Sequence, residues 1–189
     1  VLDAAIVNGR RPWMIKKRFN IKDEKSVRPK GSVYRHLEDS VAIFSSWVSA
    51  NIQVTLWQFF SHFREDYRFR ISASATQSAN KPVTYCVSVA GKRTAGKGGL
   101  VGYFDAPADK PTVVEFVEFM EPRTTIHLLP YGLTNAQTVH KIGADKYEGP
   151  GLTVQWVEVE GPLYDAWPPE SHRRLFGDRE RKPSPVFNN

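Results

Sequence analysis

The sequence predicts an all-β protein, an antiparallel β-sandwich of the jelly-roll type. About eight short segments rich in β-branched and aromatic residues follow one another from Ser40 onward, at fairly regular spacing. Apolar and polar residues alternate within the clearest of them, and few stretches have the apolar spacing of a helix. Such a series of short, half-exposed strands is typical of two sheets packed face to face.

The clearest predicted strand is Tyr67–Ala75. Its odd-numbered positions are Tyr, Phe, Ile and Ala, and its even-numbered positions are Arg and Ser, so one face is apolar and the other is polar. The same alternation follows the turn at Asn80-Lys-Pro82. The full set of predicted strands is Val41–Phe44, Val54–Phe60, Tyr67–Ala75, Val83–Val89, Leu100–Phe104, Thr112–Phe119, Thr124–Leu129 and Leu152–Glu160.

Two arms are predicted to flank the sandwich, which we place at residues 39–161. Residues 1–38 are rich in basic side chains and carry isolated apolar ones. We expect them to form an extended arm that packs on the body, with a short strand at Arg18–Ile21. Residues 162–189 are predicted to be a proline-rich arm and a polar tail. The chain begins with Val-Leu-Asp, and we expect it to be a fragment or a processed product of a longer protein.

Charge and hydropathy argue against two classes of partner. The net charge is +6, but the first 36 residues hold ten basic against three acidic residues, whereas residues 37–160 hold eleven against thirteen. The predicted sandwich is therefore slightly acidic, and we expect no nucleic-acid binding. No run of about 18 apolar residues is present, so we expect no membrane span. The single cysteine, Cys86, allows no intrachain disulfide and is predicted to be a small strand residue.

No catalytic motif is present, and the sequence predicts a protein that is not an enzyme. The five histidines form none of the spacings of a zinc site, and His127 is expected to be a hydrogen-bonded strand residue. The chain has neither a Gly-x-Ser-x-Gly elbow nor a phosphate-binding loop. Glutamates on predicted strands are expected to be surface charges, although a carboxylate pair for polysaccharide hydrolysis needs only to meet in space.

Loops and strand ends supply two candidate sites. Carboxylates beside strands, with Gly and Pro around them, are oxygen ligands of the kind that calcium prefers, and the alternative is that they make turn and cap hydrogen bonds. Exposed aromatic rings can stack on the apolar face of a sugar while polar neighbours bind its hydroxyls. The predicted calcium ligands are Asp105, Asp145 and Glu148. The predicted sugar-stacking rings are Trp47, Tyr103, Tyr131 and Tyr147, whereas Trp57 and Trp156 are expected to be buried in strands.

Several segments carry a family resemblance. They are Tyr67–Ala75, Lys81-Pro-Val83, Val101-Gly-Tyr-Phe-Asp-Ala-Pro107, Lys110-Pro-Thr-Val-Val-Glu115, Leu129-Pro-Tyr-Gly132, Gly143-Ala-Asp-Lys-Tyr-Glu-Gly-Pro-Gly151 and the run Val154–Asp178. Over these segments, which span most of the chain, the sequence resembles part of large secreted proteins of planctomycetes and related bacteria. Those proteins combine a cytochrome-c-like domain with domains of unknown function. The resemblance implies an extracellular or periplasmic location, with haem only in a neighbouring domain.

The last predicted strand carries a second resemblance. Gly149-Pro-Gly-Leu-Thr-Val-Gln-Trp-Val-Glu-Val159 is similar to the closing strand of carbohydrate-binding jelly rolls, including the calcium-dependent xylan-binding type. When the strands are aligned on Trp-Val-Glu-Val, Thr153 stands where a sugar-contacting Asn would be. Gln155 then stands where a calcium-binding Asp would be. The resemblance therefore implies the architecture but not the site.

Together these observations predict a non-catalytic, carbohydrate-binding-like module of an exported, cytochrome-associated multidomain protein. It would bind polysaccharide by ring stacking and hydrogen bonds, with calcium as the candidate cofactor. The main alternative is a docking module that contacts neighbouring domains without a sugar ligand, which the apolar side chains of the arms, such as Tyr164 and Trp167, favour. An enzyme acting on polysaccharide is the third hypothesis.

Overall fold

The computed structural model describes residues 12–27, 33–46, 54–91, 99–108, 110–168 and 170–176. Within these ranges the chain is mostly β, as predicted, and forms two antiparallel sheets. The strands are β1 (Ile15–Asn20), β2 (Tyr34–His36), β3 (Val41–Ile43), β4 (Val54–Thr55), β5 (Glu65–Thr76), β6 (Val83–Gly91), β7 (Leu100–Ala106), β8 (Thr112–Met120), β9 (Thr124–Pro130) and β10 (Gly151–Gly161). The α-helices are α1 (Ala136–Ile142) and α2 (Glu170–Phe176), and short 3₁₀ turns cover Ile21–Asp23, Lys25–Val27 and Ala144–Lys146.

The two sheets have the strand order of a jelly roll. The larger sheet runs β2-β3-β10-β5-β8, and the smaller sheet runs β4-β9-β6-β7. The eight strands from β3 to β10 can be renumbered 1 to 8. In this numbering the larger sheet has the spatial order 1-8-3-6, and the smaller sheet has the order 2-7-4-5. This is the connectivity of a double-sheet jelly roll, and it confirms the predicted fold class.

β10 is the central strand of the larger sheet and has partners along both edges. One edge pairs with β5, and the other pairs first with β3 and then, from Trp156 to Gly161, with β1. Within residues 12–27 and 33–38, β1 and β2 are therefore strands of the sheet, where the sequence predicted an arm laid on the body. The short strand expected at Arg18–Ile21 begins earlier, at Ile15.

The hydrophobic core lies between the sheets and is built from alternate residues of the strands. In β5, Tyr67, Phe69 and Ile71 are at most 1% exposed, as the alternation predicted. A stack of three rings from β5, β8 and β7 joins the two sheets at one side. The Phe69–Phe116 and Phe116–Phe104 centroids are 5.4 and 5.5 Å apart. Burial of this apolar surface is the main stabilising contribution to the fold.

β4 is shorter than predicted because a buried carboxylate turns the chain after it. Glu24 is 0% exposed and accepts hydrogen bonds from the backbone N–H groups of Trp57 and Gln58. The strand therefore covers only Val54–Thr55. Trp57 is 47% exposed, so the expectation that it is buried was wrong. Trp156 is partly buried in β10.

Two short helices, neither of which was predicted, follow the later strands. α1 begins after Asn135, whose side chain accepts the N–H of Thr138, and it ends at Gly143, where φ is 87°. α2 lies within the predicted C-terminal arm, and residues 177–189 of that arm lie outside the described residues. The arm contacts the sandwich where the Leu163 N–H donates to the Asp66 carbonyl, at 2.8 Å. No helix in the described segments is long and apolar enough to cross a membrane.

Candidate functional site

The outer face of the larger sheet is covered by ion pairs. Basic residues of β1 and β5 stand opposite acidic residues of β10 and β8 in the strand register. One row reads Arg18–Glu158–Arg70–Glu115, with nitrogen–oxygen distances of 3.2, 2.9 and 2.6 Å. A parallel row passes through Glu160, which pairs with a basic residue of β1 and another of β5. Cross-strand pairs of opposite charge stabilise the sheet that carries them.

These ion pairs leave little on the larger face for a ligand to bind. Hydrogen bonds from Arg70, together with Arg18, hold the pKa of the Glu158 carboxyl below its usual range. The guanidinium carbon of Arg18 lies 3.8 Å from the centroid of the Trp156 ring, a cation–π contact that occupies one face of the indole. The charges on this face are therefore satisfied by one another, and one side of its central ring is closed.

The smaller sheet, in contrast, carries two exposed tyrosines on its outer face. In β7, Phe104 packs against the core, so its neighbours Tyr103 and Asp105 point outward. Tyr131 directly follows β9, and its N–H donates to the carbonyl oxygen of Thr84 in β6, at 2.8 Å. This bond extends the pairing of the two strands and fixes the backbone that carries the ring. Tyr103 is 55% exposed and Tyr131 is 63% exposed.

The two tyrosine rings contact each other edge to face. Their centroids are 5.6 Å apart, and the ring planes meet at 78°. β6 lies between β7 and β9, and Tyr103 stands opposite Cys86 in the register. The rings therefore approach each other across β6 and form two apolar walls at nearly a right angle, which we call the Tyr103–Tyr131 corner.

A hydrogen-bonded polar pair borders the Tyr103–Tyr131 corner. Thr84 Oγ1 donates to Asp105 Oδ1 at 2.6 Å, and the two residues are opposite each other on β6 and β7. The Asp105 carboxylate is exposed and has a second oxygen that can accept a hydrogen bond. Beside it, burial raises the pKa of the Cys86 thiol, so this group is uncharged at neutral pH. Apolar ring surface and a fixed acceptor thus lie side by side.

His127 lies on the same face, closer to β4, and is satisfied by a hydrogen bond as predicted. Its Nδ1 is 2.7 Å from the hydroxyl oxygen of Thr55. Burial lowers the pKa of the imidazole, so the ring is neutral at pH 7. His127 therefore adds no charge to the outer face of the smaller sheet.

Of the other two predicted stacking rings, only Tyr147 is described, and it does not join the Tyr103–Tyr131 corner. Trp47 lies outside the described residues. Tyr147 is partly buried, and its ring packs against Phe44, at a centroid distance of 5.4 Å. The Arg35 guanidinium donates to the carbonyl oxygens of Tyr147 and Ala144, at 2.5 and 2.7 Å, and anchors the segment to β2. Tyr147 thus packs beside β3 instead of standing free on a loop.

The predicted calcium ligands lie on different elements. Asp105 is on β7, whereas Asp145 and Glu148 are exposed in the segment after α1. Across the described ranges, no three His, Cys, Asp or Glu side chains form a group that could hold a metal ion. Asp105 makes the cross-strand hydrogen bond to Thr84 described above, which is neither a metal contact nor the turn or cap bond expected as the alternative. A calcium site therefore remains a prediction from the sequence.

Thr153 and Gln155, the two positions aligned with ligand-binding residues of a carbohydrate-binding closing strand, lie within β10. Thr153 is 7% exposed, and its hydroxyl has no hydrogen-bond partner. Gln155 lies at a bulge in the pairing of β10 with β5, and its side-chain oxygen accepts a hydrogen bond from Ser72, at 2.5 Å. Neither contributes to the Tyr103–Tyr131 corner. Sequence analysis missed Thr84, although its place between the inward Val83 and Tyr85 predicts an outward side chain.

Comparison with known proteins yields similar folds but no family. No family model and no curated protein matches the chain. The similar solved structures include the xylan-binding module CBM15, with a TM-score of 0.49, 10% identity, and coverage of 80% of this chain and 97% of that one. They also include the C-terminal CBM6 of a marine laminarinase from Zobellia galactanivorans, with a TM-score of 0.49, 9% identity, and coverage of 78% and 100%.

A third similar structure is a CBM6 module of a lichenase from Cellvibrio mixtus, in complex with cellotriose. Its TM-score is 0.45 at 10% identity, and the match covers 78% of this chain and 98% of that one. All three are carbohydrate-binding modules. The planctomycete and cytochrome-associated setting remains an expectation from sequence resemblance.

Proposed function

We propose that the protein is a non-catalytic carbohydrate-binding module that holds a polysaccharide on the outer face of its smaller sheet. The observation that carries this proposal is the Tyr103–Tyr131 corner, two exposed rings held by paired strands beside the Asp105 acceptor. The apolar face of a sugar ring stacks on an aromatic side chain, and its hydroxyls hydrogen-bond to a carboxylate or hydroxyl at the border. The corner supplies both kinds of group.

The proposed site is rigid and shallow, and both properties set its affinity. Strand pairing fixes the backbone of both tyrosines, so little freedom is lost when a sugar binds. Few ligand atoms are buried on an open sheet face, so we expect dissociation constants in the micromolar to millimolar range, about −4 to −8 kcal/mol. This range suits a module that keeps a larger protein near an abundant polymer.

The ion-paired carboxylates Glu158 and Glu160, on the outer face of the larger sheet, favour a binding role over hydrolysis at that face. A glycosidase needs a general acid whose pKa is raised. Arg70 and Arg18 instead lower the pKa of Glu158, and Glu160, although partial burial acts to raise its pKa, has a lowered pKa because of Lys16 and Arg68. These paired carboxylates are unsuited to donate a proton at neutral pH.

We place the module in an exported multidomain protein, outside the cytoplasm, where polysaccharide would be its partner. This setting follows from the resemblance to secreted, cytochrome-associated proteins, in which haem belongs to a neighbouring domain. Calcium is kept in the proposal as a cofactor predicted from the sequence, to be tested by chelation, although the described carboxylates do not group around a common point.

Retention on polysaccharide tests the proposal directly. The protein is incubated with insoluble cellulose, xylan and mannan, with and without a chelator, and the bound fraction is measured. We expect retention on at least one polymer. Tyr131→Ala should weaken it about tenfold or more, the loss of about 1.4 kcal/mol of stacking, whereas Tyr131→Phe should retain it. Trp57→Ala, which removes an exposed ring elsewhere, is the control. No retention on any polymer would refute the proposal.

A docking module remains the second candidate, because one observation favours it. The outward positions of the edge strand β8 expose Val113, Val117 and Phe119, at 52%, 49% and 48%. Exposed apolar side chains on a sheet face, here on both sides of the ion-paired Glu115, are typical of a protein contact. If the protein were retained on no polysaccharide and Val117→Lys abolished its association with a neighbouring domain of the parent protein, docking would replace sugar binding as the proposed function.

A further inference from the structure

We infer that the Tyr103–Tyr131 corner accommodates a single sugar unit, supplied by a chain end or a side branch, and does not bind an extended chain over several units. The inference rests on the proposed function and specifies the part of the glycan that the site recognises. It follows from the angle between the rings, from the residues around them and from the absence of further exposed rings on the described strands next to the corner.

The angle between the rings limits how many sugar units can stack. Rings that serve consecutive units of a flat, cellulose-like chain lie roughly in one plane, each below its own unit. Here the planes meet at 78°, and the centroids are only 5.6 Å apart, so the edge of one ring is directed at the face of the other. A sugar that stacks flat on one tyrosine therefore has its rim against the second. Both rings serve the same unit.

The strand positions of the outer face next to the corner offer no second exposed ring among the described residues. The outward positions of the smaller sheet next to the corner are small or polar, apart from partly buried Leu129 and His127, and Leu100 at the far end of β7. His127 is hydrogen-bonded to Thr55 and is partly buried, so its ring is not a free platform. A chain that left the corner along the strands would gain few contacts from its second unit onward.

The polar border also fits a single unit. Asp105 and Thr84 hydrogen-bond to each other, so the position of the carboxylate is fixed on one side of the rings. The free oxygen of Asp105 can accept a hydrogen bond from a hydroxyl of the stacked unit. A terminal unit, at the end of the main chain or of a side branch, has more free hydroxyls than a unit linked at both ends, because an internal unit uses an additional hydroxyl for its second linkage. The acceptor therefore favours an end or a branch.

The two arrangements predict different dependence on ligand length. For a single-unit site, affinity saturates early, and we expect the dissociation constant to change by about threefold or less between two and six units. For an extended site, each further stacked unit adds contacts, and affinity should rise by about tenfold or more over the same range. In an extended site, this rise in affinity would come from contacts that do not involve Tyr103 or Tyr131.

The test titrates the full chain with cello- and xylo-oligosaccharides of one to six units, by calorimetry or by NMR of the backbone amides. We expect a flat length dependence in whichever series binds, with shifts confined to residues around Tyr103, Tyr131, Thr84 and Asp105. Tyr103→Ala and Tyr131→Ala should each weaken binding of every length by the same factor. Asp105→Asn keeps the shape of the side chain, and it should weaken the binding of a monosaccharide as much as the binding of a hexasaccharide. Trp57→Ala is the control for loss of an exposed ring.

Each outcome is decisive. Affinity that rises about tenfold from two to six units would overturn the single-unit site while leaving carbohydrate binding in place. Retention on a polymer without binding of its mono- or disaccharide would do the same. Failure to bind any oligosaccharide, together with no retention on any polymer, would instead refute the proposed function itself.

Discussion

Removing the Glu24 carboxylate should destabilise the fold by a measurable and predictable amount. The side chain is 0% exposed, and its two oxygens accept the N–H groups of Trp57 and Gln58, at 3.1 and 3.3 Å. Ser26 binds the same turn, because its hydroxyl donates to the Thr55 carbonyl oxygen and accepts the Thr55 N–H. The segment before β2 is thus attached to the end of β4 by backbone-directed hydrogen bonds.

The magnitude follows from the two donors that Glu24→Ala leaves unpaired. An unsatisfied, partly buried backbone N–H costs about 1–3 kcal/mol, so two of them cost about 2–5 kcal/mol after partial hydration. Typical domains have an unfolding free energy of about 5–15 kcal/mol, so this loss would be a large fraction of the total. Glu24→Gln keeps the shape and one acceptor oxygen, and we expect it to cost about half as much.

Urea unfolding followed by tryptophan fluorescence measures these losses, at constant m-value. The pH dependence gives an independent check. Burial raises the pKa of Glu24, so the native state holds its proton more tightly than the unfolded state does, and stability falls as pH rises from 4.5 through the raised pKa. Glu24→Gln should remove this slope. A loss below about 0.5 kcal/mol for Glu24→Ala would refute the role assigned to the carboxylate.

Three further predictions concern the ring stack in the core, the close contact of Gly151 with Phe44 and the partly buried His127. Phe116→Ala removes the middle ring of the stack that joins the sheets. It should lower the unfolding free energy by about 2–3 kcal/mol, less than the loss of a fully buried ring would. A loss no larger than that caused by Val113→Ala, at an exposed position, would contradict this prediction. Gly151→Ala places a Cβ 2.6 Å from the Phe44 ring and should cost about 1–3 kcal/mol in the same assay, whereas Gly99→Ala, where nothing lies within 4 Å, is the control. Burial lowers the pKa of His127, so its contribution to stability is complete above pH 6.5 and is lost as pH falls towards the lowered pKa. His127→Gln should flatten that part of the stability curve, and an unchanged curve would mean that another group titrates.

Strands with strong alternation were predicted from sequence because the signal is local. β5 and β6 carry their own period of two, and their inward residues are those expected. β1 lacked such a signal, because its sequence, IKKRFN, has few apolar residues. Its place in the sheet depends on Glu158 and Glu160, which face its basic side chains from about 140 residues away. A long-range pairing of this kind leaves no trace in a short window.

The candidate site could be predicted as a set of residues but not as an arrangement. Tyr103 and Tyr131 were identified as exposed rings at strand ends, yet their contact depends on the register of β6 with both neighbours. Tyr147 has the same local character, and its ring is withdrawn by Phe44 and by the hydrogen bonds of Arg35. Trp57 was predicted to lie in a strand. The turn that exposes it is imposed by Glu24, which lies 33 residues earlier, so the local sequence around Trp57 does not reveal it.

The position of β10 has a consequence for the order in which the molecule can assemble. β10 supplies the pairing partner for β1, β3 and β5, yet it is the last of the described strands to be synthesised. Until about residue 161 has been synthesised, those three strands have unsatisfied edges and a half-built interior. Contacts between such distant parts of a chain slow folding. Nascent chains that stop short of this strand should therefore remain protease-sensitive and depend on chaperones, whereas chains that include it should close the sandwich cooperatively.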